Sequence, residues 1–450
     1  MKFADLRKQY PTFIYHDYKI DEDEKTIKLT FDFEIVGLEH FAPTFTLHKN
    51  TNQTFASFQQ VDDTAFYLGM VELISYWKIT CSPNVIIACH QLDAYQIAWF
   101  KKLYYKGLGE FFYVNDIKID DESFMNITTT KAIGKNLKPY DLPVKGNIIC
   151  VGGGKDSFVT LDLLKEEFEQ NHALVINKVQ SALHSAIKAG YDGEKLINPL
   201  RTLDPRMLAL NKQGFLNGHT PFSAMVAFAS YFIALVYQKQ YICLSNEASA
   251  NESTIKGEDV NHQYSKSYEF EVDFKDFVEH YLDPQINYFS LLRCMSEMQI
   301  TRYFANLREY HTTFKSCNVG SKQEIWCNNC AKCLFVYIML SAHLDDEQLD
   351  NIFHEDLLAK ASLLKTFDEL CGIDDNKPFE CVGTRDEVNA AICLAIKKRD
   401  QLPLLYQHYM ESANYAIYKD KDDYANFYNA QHLIPEQFLA ILEAKGAIKR

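Results

Sequence analysis

The stretch "IICVGGGKDSFVTLDLL", residues 148–164, decides the fold of this chain. A short apolar run ends in three consecutive glycines, and Lys155, Asp156 and Ser157 then lead into a helical pattern. Where a strand hands over to a helix, the first helical N–H groups have no partner and the helix dipole favours an anion. Successive glycines let the backbone approach that anion closely. The stretch therefore predicts a phosphate-binding turn. It is not a GxxxxGK[ST] loop, because position 149 is Ile and Lys155 precedes Asp156, and it lacks the spaced glycines of the dinucleotide fingerprint.

Outward from the turn the texture is that of an α/β fold with a parallel sheet. "SFVTLDLLKEEFEQ", "ALVINKV", "QSALHSAIKAG", "PFSAMVAFASYFIALVYQ" and "QYICLSN" alternate helical patterns with short apolar runs, as βαβ units do. Upstream, "EKTIKLTFDFEIVGLEHFAPTFTLH" at 24–48 alternates polar and apolar residues and predicts antiparallel strands. "DDTAFYLGMVELISYWKI" places Phe66, Met70, Leu73 and Tyr76 on one face of an amphipathic helix, with Asp62 and Asp63 as its caps. Beyond about residue 344 the pattern is mostly helical. The expected organisation is a mixed α+β domain over 1–145, an α/β domain over 146–343 and a helical region over 344–450.

The 450 residues exceed one ordinary core, and 47% of them are hydrophobic with no low-complexity tract. A net charge of -14 repels a phosphate backbone, so nucleic acid is not an expected partner. No signal peptide or apolar run of membrane-spanning length is present, which predicts a cytoplasmic protein without membrane insertion. Oligomeric state has no signature here. Twelve cysteines in such a protein are expected to be buried, metal-bound or reactive rather than paired. Cys317, Cys327, Cys330 and Cys333 form a C-x9-C-x2-C-x2-C array whose thiolates can close a tetrahedral, structural Zn2+ site; four buried thiols near a helix start is the alternative.

"VGGGKDS" resembles the SGGxDS loop of the PP-loop ATP pyrophosphatases, with Val151 or Gly152 where that pattern has its first serine. The resemblance implies a PP-loop core that cleaves ATP to AMP and pyrophosphate with Mg2+. The amides of Gly152, Gly153 and Gly154 would surround pyrophosphate and Lys155 would offset its charge. Ser157 would donate to a phosphate oxygen, and Asp156 would orient the loop or Mg2+.

With "LNGHTP", "SNEASAN", "VNHQYSKS", "WCNNCAKC" and "KPFECVG", and with "ISYWKITCSP" upstream, the turn makes the chain similar to the MurL-type UDP-N-acetyl-α-D-muramoyl-L-alanyl-L-glutamate epimerases of peptidoglycan synthesis. The resemblance spans residues 151–383 and implies inversion of the terminal glutamate of UDP-MurNAc-L-Ala-L-Glu through an acyl adenylate. Activation has a chemical reason: the proton beside a free carboxylate is very weakly acidic, and a mixed anhydride removes that obstacle. Proton return to the opposite face and hydrolysis then give the D-glutamyl product. Such inversion needs a base and an acid across Cα. Cys381 is the first candidate, because a thiolate and thiol pair can exchange an α proton, with His262, His219 and Glu380 as rivals. Asn246 and Glu247 are expected to contact the adenylate at a strand's carboxyl end. Tyr264, Ser265 and Lys266 offer hydrogen bonds and a cation to the substrate. Arg201 and Arg206 could serve the same anions or sit in solvated salt bridges. The competing functions are a PP-loop amide ligase, a tRNA-modifying thiolase and a non-catalytic nucleotide sensor.

Overall fold

The computed structural model describes residues 2–130, 135–251, 264–320, 323–375, 377–378, 380, 382–421 and 424–450. The chain forms two compact units that interleave along the sequence. The first comprises Met1–Asn147, Ile197–Ile242 and Val260–Tyr288; the second comprises Ile148–Leu196, Cys243–Asp259 and Phe289–Arg450.

In the first unit, β1 (Thr12–Glu22), β2 (Thr26–Ile35), β3 (Glu39–Phe41), β4 (Thr44–His48), β5 (Asn84–Ile87), β6 (Asn126–Thr129) and β10 (Leu200–Thr202) build one sheet in the order β10-β4-β2-β1-β5-β6, with β3 beside β2. Strands β1 to β4 pair antiparallel, as the alternation over 24–48 predicts, while β5 runs parallel to β1 and β6. Ile27, Leu29, Phe31, Phe33 and Ile35 of β2 all point inward, which is the two-residue period of a strand with one buried face.

The helix Gln59–Trp77 departs from the amphipathic expectation. It packs on β1, β2 and the helix Phe222–Val236, so that Thr64, Glu72 and Ser75 are buried along with Phe66, Met70, Leu73 and Tyr76. A helix covered on several sides has no polar stripe to display. At Gly69 any Cβ would collide with the Tyr15 ring, so the helix reaches β1 only because that position lacks a side chain. Nor do Asp62 and Asp63 cap it, because the helix begins at Gln59 after Phe58. Asp62 instead accepts hydrogen bonds from the Tyr18 hydroxyl and the Lys135 ammonium, both at 2.8 Å.

The other five strands are β7 (Asn147–Cys150), β8 (Asn171–Leu174), β9 (Leu196–Ile197), β11 (Tyr241–Leu244) and β12 (Asn287–Ser290), in the order β9-β8-β7-β11-β12. Counted along the chain this parallel sheet runs 3-2-1-4-5, and its order reverses between β7 and β11. In open α/β sheets the crevice beyond the carboxyl ends of the strands at such a reversal is where ligands bind. The carboxyl ends of β7, β11 and β12 belong to the second unit. The helix predicted after the glycines spans Lys155–Leu163 and then tightens into a 3-10 segment, Lys165–Gln170.

The end of the chain is helical, as expected. Ala331–Ser341 is buried on all sides and packs against Leu364–Cys371 and Arg385–Lys397. No helix among the described residues is long and apolar enough to cross a membrane.

Candidate functional site

The turn after β7 is held from three directions. Val151 N–H donates to Leu174 of β8 at 2.9 Å, Lys315 N–H donates to the Gly153 carbonyl at 3.0 Å, and Gly152 N–H donates to Ser157 Oγ at 2.9 Å. The glycines differ in why they are glycine. Gly153 has φ +86° and a Cβ there would lie 2.8 Å from Ala182 N; a Cβ on Gly154 would lie 2.8 Å from Ser316 Oγ. At Gly152 the nearest atom to a Cβ among the described residues is Ser157 Oγ at 3.8 Å, so their packing does not demand glycine there.

Lys155 opens the following helix and is 1% exposed. Its ammonium is ion-paired with both Asp156 and Glu297. Burial opposes the charged amine, but the two carboxylates outweigh it and hold the lysine above its ordinary value. Glu297 opens the helix Glu297–Ala305 beyond β12, where Ser296 and Gln299 form a capping box. Burial pushes the Glu297 carboxyl up to about 8 despite Lys155, and the charges of Asp156 and Glu247 push the same way.

The loop after β11 lies beside this group. Ser245 Oγ is 2.8 Å from Thr160 Oγ, Asn246 Nδ2 donates to Ser290 Oγ at 2.9 Å, and Arg293 donates to the Glu247 carbonyl at 2.6 Å. Glu297 N–H donates to Glu387 at 2.7 Å, and the other oxygen of Glu387 accepts from Thr384 in a second capping box. Burial raises the Glu387 carboxyl as well. Beyond Glu387 opens a cleft of about 500 Å³, bordered by Ala248, Ser249, Gly372, Arg385, Asn414 and Phe427 among others.

The four cysteines of the C-terminal array converge, with every sulfur within 4.8 Å of the others. Cys330 and Cys327 lie 3.5 and 3.7 Å from Cys333, and Gly320 N–H and Cys327 N–H donate to the Cys317 sulfur at 3.0 and 3.4 Å. A tetrahedron with metal–sulfur bonds of about 2.3 Å has edges of about 3.8 Å, so the donor set fits zinc. Among the described residues no cysteine is in a disulfide.

Gly152 to Ser157, Asn246 and Glu247 are thus gathered at the carboxyl ends of β7 and β11. Glu380 accepts from Lys332 N–H at 2.6 Å, at the start of the helix Ala331–Ser341, and so serves that helix's first turn. Cys381 and His262 lie outside the described residues. The remaining expected residues belong to the first unit. Arg201 is bound side-on to Glu72 at 2.6 and 2.8 Å, and Arg206 pairs with Asp204 at 2.7 Å. His219 lies 3.5 Å from Glu110, and the Tyr264 hydroxyl donates to Asp273 at 2.6 Å. Ser265 is buried and Lys266 ends the same short 3-10 turn. Glu297, Glu387 and Arg385 were not singled out from sequence. Their signals were present in "SEMQ" and "TRDE", two Ser/Thr-x-x-Gln/Glu box patterns.

Two family models match this chain, the MurL N-terminal domain over residues 4–291 and the MurL C-terminal domain over residues 313–422. The chain belongs to the MurL family. A curated protein of Xanthomonas oryzae pv. oryzae, named UDP-N-acetyl-alpha-D-muramoyl-L-alanyl-L-glutamate epimerase, is 32% identical over 341 residues, 74% of either chain. A Salinispora tropica protein of the same name is 32% identical over 73% of this chain and 72% of its own. A Micromonospora protein, again of that name, is 29% identical over 86% of this chain and 87% of its own. The glycine turn and β11 fall in the part matched to the MurL N-terminal domain, and the cysteine array and Glu387 in the part matched to the C-terminal domain. MurL membership makes the chain an enzyme of the epimerase class.

Proposed function

We propose that this enzyme inverts the α-carbon of the terminal L-glutamate in UDP-MurNAc-L-Ala-L-Glu during peptidoglycan precursor synthesis, consuming ATP and releasing AMP and diphosphate. The observation that carries the reading is a glycine turn with a buried lysine at the reversal point of a 3-2-1-4-5 sheet, in a chain whose relatives bear the name of that epimerase. The turn is taken as a PP-loop. Gly152, which has no packing reason to be glycine, is where a phosphate comes nearest the backbone, and binding there draws Gly152 N–H away from Ser157 Oγ. Lys155 neutralises the leaving pyrophosphate, and Asp156 is the carboxylate through which Mg2+ is held; that ion adds charge compensation at the phosphates.

The residues then do three things. The turn grips pyrophosphate while the α-carboxylate of the substrate becomes an acyl adenylate. A base takes the Cα proton and an acid returns it on the other face, with Cys381 the first candidate and His262, His219 and Glu380 its rivals. The anhydride is hydrolysed to product and AMP, which makes the cycle irreversible. Asn246 and Glu247 contact the adenylate. Tyr264, Ser265 and Lys266 are proposed for the nucleotide-sugar anions, whereas Arg201 and Arg206 are held in salt bridges with Glu72 and Asp204. Cys317, Cys327, Cys330 and Cys333 hold a structural zinc ion, which leaves no open position for catalysis.

Incubation with ATP, Mg2+ and the L-glutamyl nucleotide, followed by chiral analysis of the released glutamate, tests the activity. D-glutamate formed together with AMP supports it, and retention of L-glutamate refutes it. Lys155→Ala is expected to abolish AMP formation.

A further inference from the structure

Arg385 has an unusual position. It opens the helix Arg385–Lys397 and lines the cleft of about 500 Å³, and no carboxylate among the described residues lies within ion-pair distance of it. Its Nη2 donates to the main-chain carbonyls of Asp375 at 2.5 Å and Asp374 at 3.5 Å, which fixes the plane of the guanidinium. Its Nε is buried with no hydrogen-bond partner among the described residues. A guanidinium carries five donors, and leaving a buried charged donor unmet is costly.

The wall is shaped around this side chain. Gly372, at φ +76°, ends the helix Leu364–Cys371, and a Cβ there would lie 2.9 Å from Arg385 Cδ. The two acids on the same wall already have partners: Asp386 binds the Tyr418 hydroxyl, and Glu387 accepts from Thr384 and from Glu297 N–H. Both carboxyls are thus engaged by neutral donors, and Arg385 is the cation on this wall with a donor left unmet among the described residues. Glu387 also ties the cleft to the glycine turn, because the residue whose N–H it accepts is the one whose carboxylate pairs with Lys155.

We infer that this cleft takes the side chain of the reacting glutamate, with Arg385 binding its γ-carboxylate. The inference rests on the proposed epimerase reading. Activation consumes the charge of the α-carboxylate only, so the substrate enters and leaves with a second carboxylate that needs a cation, and a planar guanidinium suits it better than an ammonium. Arg385 is thus a specificity-determining residue that selects a γ-carboxylate over a γ-amide, because a site built to pair a charge rejects the analogue lacking it.

The experiment compares UDP-MurNAc-L-Ala-L-Glu with UDP-MurNAc-L-Ala-L-Gln on the full-length wild type, Arg385→Gln and Arg385→Lys, by calorimetric binding and by kcat and KM. Wild type is expected to prefer the glutamyl nucleotide by about tenfold or more in both affinity and KM. Arg385→Gln is expected to lose that preference while its KM for ATP stays unchanged. Arg385→Lys, which keeps the charge without the fork, is expected to keep part of it and serves if the glutamine variant does not fold. Undiminished preference in the folded variants, or none in wild type, overturns the inference. The two readings fail separately. A wild type that inverts glutamate while Arg385→Gln keeps its discrimination sinks only the Arg385 assignment. A wild type that binds the glutamyl nucleotide through Arg385 yet never inverts it sinks only the epimerase reading.

Discussion

Lys155 and Glu297 each open a helix beyond a strand of the five-stranded sheet, and the lysine ammonium and the glutamate carboxyl meet in the interior at 1% and 3% exposure. A buried pair of this kind is poor evidence for stability, since desolvation consumes most of the attraction. It is better understood as a device that holds one ammonium beside the glycine turn. Removing either partner leaves the other's charge buried, which costs about 3–5 kcal/mol where the orphan cannot neutralise.

The pair makes stability depend on pH with a definite sign. Burial raises the folded-state value of Glu297 from an ordinary 4.5 to about 8, so between those values the folded chain holds a proton that the unfolded chain has released. The stabilisation is complete below the unfolded value and disappears as pH rises through the folded one. Glu297→Gln is expected to flatten this fall in urea unfolding across about pH 5 to about pH 8, while raising the KM for ATP through a less constrained Lys155. An identical slope in the variant would show that Glu297 does not carry it.

The glycine turn separates folding from ligand approach. Gly153→Ala places a side chain at positive φ and against the Ala182 amide, with an expected loss of about 1–3 kcal/mol or more in unfolding experiments. Gly152→Ala meets nothing closer than 3.8 Å among the described residues and is expected to leave the melting temperature almost unchanged. The same methyl would stand where a phosphate approaches, so the KM for ATP should rise by about tenfold or more. Unaltered ATP kinetics in a stable Gly152→Ala protein would move the nucleotide away from this turn.

The cysteine array gives a test without any activity measurement. Elemental analysis of the purified chain is expected to find close to one zinc, and a chelator should lower the unfolding temperature by releasing a structural ion. Cys330→Ser should weaken the site, because Cys330 lies 3.5 Å from Cys333 within the cluster of four sulfurs. A metal-free chain of unchanged stability would reduce the array to four buried thiols.

Much of this was legible in the sequence because it is local. The turn, the cysteine spacing and the alternation over 24–48 each lie within a few dozen residues, and periodicity or spacing reports them. What was not legible depends on partners far along the chain. Gln59–Trp77 looks amphipathic until Phe222–Val236 covers its second face, and β10 joins a sheet whose other strands come from the first third of the chain. Glu297 is the clearest case. Nothing in "SEMQ" beyond a capping box marks it, and its importance comes from Lys155, 142 positions earlier, pointing at the same buried spot.

Proton exchange at Cα is the step that separates inversion through an acyl adenylate from any route that leaves that bond intact. Turnover in deuterium oxide is therefore expected to place deuterium at the α position of the D-glutamyl product, detectable by mass spectrometry and NMR, since the returning acid exchanges with solvent between cycles. If Cys381 is one of the two proton-carrying groups, Cys381→Ala should still release pyrophosphate when ATP and substrate are supplied, because adenylation does not use that thiol, but should lose inversion by about a hundredfold or more. His262→Ala provides the matching experiment on the other candidate. Full inversion by the cysteine variant, with normal deuterium incorporation, would pass the role to His262 or to its rivals, His219 and Glu380.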